Sequence, residues 1–175
     1  MEDKYLCVMA LFDDETNNKL IEIRKILKEN DLSYDMYPPH ITLGAYVNIS
    51  ENDLIKYTEN FCLNNNKVNI KLDKLGKFSN KVIYLTTSND KNIKDLHFKF
   101  HQKYDEFHGN VGYNYSIDSN KFTPHMTLLK DCNPLKINRA DKIMQSLNIN
   151  IEAQITKIGI YEFFPMRKIK IFNLK

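Results

Sequence analysis

Two pentapeptides of one form, Pro39-His40-Ile41-Thr42-Leu43 and Pro124-His125-Met126-Thr127-Leu128, stand 85 residues apart, one in each half of a 175-residue chain. Side chains alternate faces along a strand, so a His and a Thr two apart point the same way. Each pentapeptide offers an imidazole and a hydroxyl to one surface, with Ile41 and Leu43, or Met126 and Leu128, behind it. Two such strands facing each other would carry two acid–base groups and two hydroxyl donors. That set suits the cleavage of a phosphodiester. One imidazole can activate the attacking oxygen and the other protonate the leaving oxygen, because the ordinary histidine pKa lies close to neutral pH. Thr42 and Thr127 can donate to the non-bridging oxygens, where charge gathers in the transition state. This chemistry needs no metal and no cofactor, and the sequence suggests neither. It contains no His-Glu-x-x-His and no paired carboxylates beside the motifs.

Other candidates carry less. His97 and His101 are four apart on an expected helix, which is metal-ligand spacing, but no third ligand is evident and Phe98 and Phe100 indicate a packed helix. His108 stands at the expected end of that helix, where it suits the helix C-terminus. Asp131-Cys132-Asn133-Pro134 reads as a turn, and Gly159 lacks the companions of a phosphate-binding loop.

The elements that must hold the motifs follow from the apolar pattern. Tyr5 to Phe12 reads as a buried strand, and Asp13 or Asp14 can cap a helix with Leu20, Ile23 and Leu27 inside. Tyr37-Pro38-Pro39 forces extended backbone into the first motif strand, and Gly44 marks a bulge or a close approach. Ser50 with Asp53 resembles a capping box for a helix containing Leu54 and Phe61, which ends at Asn64-Asn65-Asn66. Val68 to Leu72 and Val82 to Thr86, joined by a turn around Gly76 to Asn80, read as an antiparallel hairpin. Asn89 or Asp90 opens a longer helix bearing Ile93, Leu96, Phe100 and Phe107. Gly109 to Asn120 has no period and is the loop or lid candidate. Phe122 to Lys130 forms the second motif strand. Asn138 caps a helix with Ile143 and Leu147, and strands follow over Ile151–Phe163 and Ile169–Phe172. A motif strand, a helix and paired strands thus occur twice. The fold class is α+β with antiparallel sheets, in two pseudo-symmetric lobes around one cleft, within a single domain over residues 1–175.

Composition sets the bounds. The chain is long enough for a core without disulfides, and its three cysteines, Cys7, Cys62 and Cys132, are scattered. They read as reduced thiols in the cytoplasm. Tyr5 to Phe12 is too short to cross a membrane, and Glu2 and Asp3 precede it, unlike a signal peptide. A net charge of +3, with 22 lysines among 25 basic residues, is too mild to imply wrapping of long duplexes but fits a short anionic ligand or a strand end.

The sequence resembles the two-histidine (2H) phosphoesterase superfamily, in particular its bacterial 2′-5′ RNA ligase-like and RNA 2′,3′-cyclic phosphodiesterase branch. The resemblance rests on Pro-Pro-His-Ile-Thr-Leu at 38–43, Phe-Thr-Pro-His-Met-Thr-Leu at 122–128, the opening strand with its helix, and the late strand ending Phe163-Phe164-Pro165. It implies metal-independent hydrolysis of 2′,3′-cyclic phosphates at RNA ends to 2′-phosphates, together with reversible 2′-5′ ligation through the same cyclic phosphate. On that reading His125 activates water, His40 protonates the departing ribose oxygen, and Thr42 and Thr127 hold the phosphate. The alternatives are a phosphodiesterase for small cyclic nucleotides or 2′-5′ oligonucleotides, and a non-catalytic RNA- or nucleotide-binding module.

Two departures from the family pattern bear on the substrate. Lys130 stands where many relatives carry an arginine, keeping the charge without the bidentate fork. After the first motif, Gly44 and Ala45 stand where several relatives have a base-stacking aromatic, with Tyr46 displaced by one. Tyr37, Phe122, Tyr113 or Tyr115 are the substitutes for that stacking surface, and Arg167 is a candidate for an RNA phosphate.

Overall fold

The computed structural model describes residues 4–32, 37–79, 81–130 and 133–175. The chain runs β1 (Tyr5–Phe12), α1 (Asp14–Lys28), β2 (His40–Tyr46), α2 (Glu51–Asn64), β3 (Val68–Leu72), β4 (Lys74–Phe78), β5 (Val82–Thr86) and α3 (Lys91–Phe100). A 3₁₀ turn, Asp105–His108, leads to the short α4 (Gly109–Gly112) and a second 3₁₀ turn, Tyr113–Tyr115. The chain ends with β6 (Met126–Lys130), α5 (Pro134–Ser146), β7 (Ile151–Phe163) and β8 (Arg167–Asn173). The architecture is α+β, and the strand pairs are antiparallel.

One sheet has the order β2-β1-β7-β3, with β8 also on β7; the other has the order β4-β5-β6. Period-two alternation sorts β1. Leu6, Val8, Ala10 and Phe12 join the main core with Leu20, Ile23 and Leu27 of α1. Cys7, Met9 and Leu11 on the opposite face form a second cluster with Tyr37, Tyr161 and Phe163. The main core also contains Ile83 and Leu85 of β5 and Met126, Leu128 and Leu129 of β6, so the two sheets share it. Helix α1 starts where Asp13 accepts the Thr16 backbone N–H at 2.9 Å, a side-chain N-cap.

Four expectations are corrected. The hairpin is β4–β5, not β3 with β5: β3 pairs with β7, and only Asp73 separates it from β4 in the other sheet. Gly76 lies inside β4 because the Tyr84 ring covers the place where a Cβ would stand, the close-approach use of a strand glycine. Helix α3 stops at Phe100, short of Phe107, because Tyr104 takes a left-handed conformation (φ 70°) and the chain restarts as a 3₁₀ turn. The later helix opens four residues before Asn138. The Asn133 side chain accepts the Lys136 N–H at 2.9 Å, and Pro134 occupies the first turn, where its missing N–H costs nothing. Cys7 and Cys62 are free and buried; Cys132, Asp131, Asn80, Glu2 and Asp3 lie outside the described residues.

Candidate functional site

The two pentapeptides build the same half-site twice. His40 opens β2, and its Nδ1–H donates to the Pro38 carbonyl at 2.7 Å. His125 precedes β6, and its Nδ1–H donates to the Thr123 carbonyl at 2.8 Å. Each bond reaches back two residues across a proline that holds the preceding backbone extended. A carbonyl can only accept, so the proton sits on Nδ1 in both rings and Nε2 is the nitrogen left for chemistry. The expected ladder over Phe122 to Lys130 is shorter, beginning at Met126, and Pro124 is secured by the Thr86 hydroxyl at 2.6 Å.

His40, Thr42, His125 and Thr127 line one cavity of about 230 Å³ between the two sheets, together with Lys130 and Tyr37. Tyr5, Cys7, Met9 and Phe163 form its wall on the larger sheet, Phe78 and Val82 its wall on the smaller one. Val111 and Tyr115 close a third side. The Tyr115 hydroxyl hydrogen-bonds Thr42, and burial pushes its pKa up to about 12, so it stays a protonated phenol at neutral pH. Burial likewise pushes the Cys7 thiol up to about 12, which removes it as a thiolate nucleophile.

Burial dominates the electrostatics of both histidines. His40 is lowered to about 4: burial first, opposed by the Pro38 carbonyl bond, then assisted by the charges of Arg24 and Lys130 and by that of His125 when it is protonated. His125 is lowered by burial as well, against the Thr123 carbonyl. Both rings are therefore neutral at pH 7 in the ligand-free protein. An anion seated between them would favour the charged form and reverse the shift.

The remaining expected residues divide. Lys130 lines the cavity, with its Nζ 5.9 Å from the centre of the Tyr37 ring, which lines the same cavity. Phe122 lies elsewhere, stacked on His97 with ring centroids 3.7 Å apart. Arg167 pairs with Glu51 at 2.7 Å and Glu162 at 3.1 Å and does not line the cavity. Tyr113 is exposed under Lys121. His97 holds the Tyr115 carbonyl at 2.5 Å, and His101 sits between the Leu43 carbonyl at 2.8 Å and Asp105 at 2.6 Å. Among the described residues no group of three His, Cys, Asp or Glu is placed to hold a metal ion. In the loop or lid candidate, Gly109 to Asn120, Gly112 abuts the Ala45 carbonyl so closely that no Cβ would fit, while Val111 and Tyr113 are exposed.

Gly44 does mark a bulge. The β1–β2 ladder pairs Val8 with Gly44 and Met9 with Thr42, so Leu43 is the extra residue. The bulge changes the phase of the strand: Ala45 lines the cavity and Tyr46 is fully buried in the core, its hydroxyl 3.3 Å from His101.

Sequence reasoning passes over Tyr5 and Phe163, whose rings stack 5.1 Å apart beside Tyr37. It also passes over Arg24. That residue stands in the buried stripe Leu20-Ile23-Arg24-Leu27 and is 7% exposed. Its Nη1 donates to the Tyr37 carbonyl at 2.6 Å and its Nη2 to the Thr127 carbonyl at 2.9 Å. A charge on the apolar side of an otherwise regular helix is the signal available, since burying a guanidinium costs several kcal/mol unless it is well partnered.

Two antiparallel sheets with a twofold His-and-Thr half-site between them define a phosphoesterase architecture. A family model, the 2′-5′ RNA ligase superfamily, matches residues 12–163. The chain belongs to that superfamily, the two-histidine phosphoesterases, and is an enzyme of phosphoesterase type. Among solved structures it is similar to Escherichia coli LigT complexed with 3′-AMP (16% identity, TM-score 0.64, covering 99% of each chain). It is also similar to TT0787 of Thermus thermophilus (13% identity, TM-score 0.65, covering 97% of each chain). At these identities the likeness speaks for the fold. Comparison with curated proteins gives no match.

Proposed function

We propose that the chain is a metal-independent phosphodiesterase that opens 2′,3′-cyclic phosphates at RNA ends to 2′-phosphates. The observation that carries this reading is the pair of Nδ1-anchored imidazoles lining one cavity with a threonine hydroxyl beside each. Water gives its proton to Nε2 of His125 as its oxygen bonds to phosphorus. The bond from phosphorus to the 3′-oxygen breaks, and that oxygen takes the proton of a charged His40. Thr42, Thr127 and Lys130 face the non-bridging oxygens. His40 ends neutral and His125 charged, and exchange with solvent resets both. In the same direction, with a ribose 5′-hydroxyl in place of water, His125 would take that hydroxyl's proton, the 3′-oxygen would leave with the proton of His40, and a 2′-5′ bond would form. The chain acts as one two-lobed unit, and its free, buried Cys7 and Cys62 suit the cytoplasm. Among the described residues no helix is long and apolar enough to cross a membrane.

The second reading, small cyclic nucleotides or 2′-5′ oligonucleotides, draws on the modest 230 Å³ cavity and its aromatic end at Tyr5, Tyr37 and Phe163. LigT, a protein of this fold, forms a complex with 3′-AMP, which supports a nucleotide here. The test is incubation in EDTA of an RNA oligonucleotide ending in a 2′,3′-cyclic phosphate, beside a panel of small nucleotides. The expected product is a 2′-monophosphate end, with a higher kcat/KM for the RNA, and His40→Ala should abolish turnover. A 3′-phosphate product would exchange the roles of the two histidines. Tight binding without turnover of any substrate would leave the binding-module reading.

A further inference from the structure

β2 is an edge strand of one sheet and β6 an edge strand of the other, and among the described residues no backbone ladder joins them. Yet two-imidazole chemistry depends on the gap between those strands. The geometry points to Arg24 as the positioning residue that sets this gap: its fork ties the carbonyl of Tyr37, three residues before His40, to that of Thr127, two after His125. This rests on the proposed acid–base pairing of the two histidines.

Three features support it. The guanidinium is planar, so two acceptors held by different Nη atoms are fixed in direction as well as distance. The bonds of 2.6 and 2.9 Å reach main-chain atoms, which follow the strand rather than a rotamer. The group projects from the buried stripe of α1, and its 7% exposure leaves little competition from water. Arg24 thus ties the backbone leading into β2 to the carbonyl of Thr127 in β6, while the imidazoles reach the substrate from the cavity. Its charge also acts on His40 but is not among the causes acting on His125. The charged groups acting on His40 are Arg24, Lys130 and His125.

The test compares Arg24→Lys, Arg24→Gln and the control Leu20→Val, which perturbs the same buried face of α1 without touching either carbonyl. Two readouts are used: kcat and KM on a 2′,3′-cyclic phosphate, and the NMR titration of the two imidazoles without substrate. Arg24→Lys keeps the charge but cannot hold both carbonyls. Its kcat should fall at least about tenfold, since a misplacement of ~1 Å can cost 10²-fold, while KM and the His40 titration change little. Arg24→Gln should lose kcat similarly and raise the His40 pKa with His125 unmoved. Leu20→Val should keep kcat and both titrations. Wild-type kcat in Arg24→Lys would overturn the proposal, as would an equal loss in Leu20→Val at the same folded fraction. So would a His40 titration indifferent to Arg24→Gln. Should Arg24→Gln not fold, Arg24→Lys against Leu20→Val decides. A wild-type protein inactive on every substrate would instead defeat the functional reading, and the imidazole titrations would still report on Arg24.

Discussion

If the cavity receives a phosphate between its imidazoles, anion binding must be linked to protonation of His40. Sulfate is a suitable probe because it does not itself titrate near neutrality. The ligand-free ring, lowered to about 4, is charged in only about one molecule in 10³ at pH 7. Charging it there costs of order 4 kcal/mol, at ~1.36 kcal/mol per pH unit. A dianion beside the ring raises its pKa in the complex. Binding is therefore tightest below the free pKa and weakens as pH rises, until the pKa of the complex is passed. Between pH 5 and 7 the association constant should fall by up to about a hundredfold for one linked proton, the full figure being reached when the complex's pKa exceeds 7, and more steeply if His125 charges too. Calorimetry at constant ionic strength, repeated in buffers of different ionisation heat, gives the affinity and the protons taken up. His40→Asn should remove one proton from the uptake. Affinity flat across this range, or full uptake in His40→Asn, would refute the linkage.

Two further outcomes follow from the walls of the cavity. Tyr115→Phe deletes the hydroxyl that hydrogen-bonds Thr42, and kcat/KM should fall by about fivefold, the worth of ~1 kcal/mol, with little change in Tm. Acid should destabilise the fold through His97, which burial holds at about 4 against an ordinary 6.5. The unfolded chain takes up that proton first, so the stabilisation is complete above pH ~6.5 and lost as pH falls towards 4. At pH 5 the loss from His97 is at most about 2 kcal/mol, beside the losses from His40 and His125, and the stability difference between pH 7 and 5, read from urea midpoints, should shrink by that share in His97→Gln.

The half-sites are legible in the sequence because strand periodicity and proline are local rules. A His-x-Thr behind a Pro declares its own face, and both copies line the same cavity. Helices α1 and α2 are legible for the same reason, through Leu20, Ile23, Leu27, Leu54 and Phe61. What the sequence hides is non-local. No local signal says that β3 pairs with β7 across the sequence rather than with its neighbour, so the chain's crossing at Asp73 is invisible and Gly76 reads as a turn. Phe122 looks available to a base because nothing in the sequence places His97 against its ring. Arg167 looks available to a phosphate until Glu51, more than a hundred residues earlier, meets it. Arg24 escapes notice for the converse reason: its two acceptors are main-chain carbonyls, which no side-chain pattern announces.

The extra residue at Leu43 separates two jobs carried by one strand. Upstream of it, His40 and Thr42 keep the alternation that aims them at phosphorus; downstream, the alternation is inverted, and a methyl group from Ala45 replaces a phenol on the cavity floor. The absorption of Leu43 into the bulge, rather than residue type, therefore sets Ala45 and not Tyr46 on the floor. Deleting Leu43 would remove the bulge yet leave Ala45 opposite Cys7 on the cavity side and Tyr46 opposite Leu6 in the core. The bulge thus lets one strand carry the acid–base half-site and a small floor, from a sequence whose plain alternation would put a phenol there.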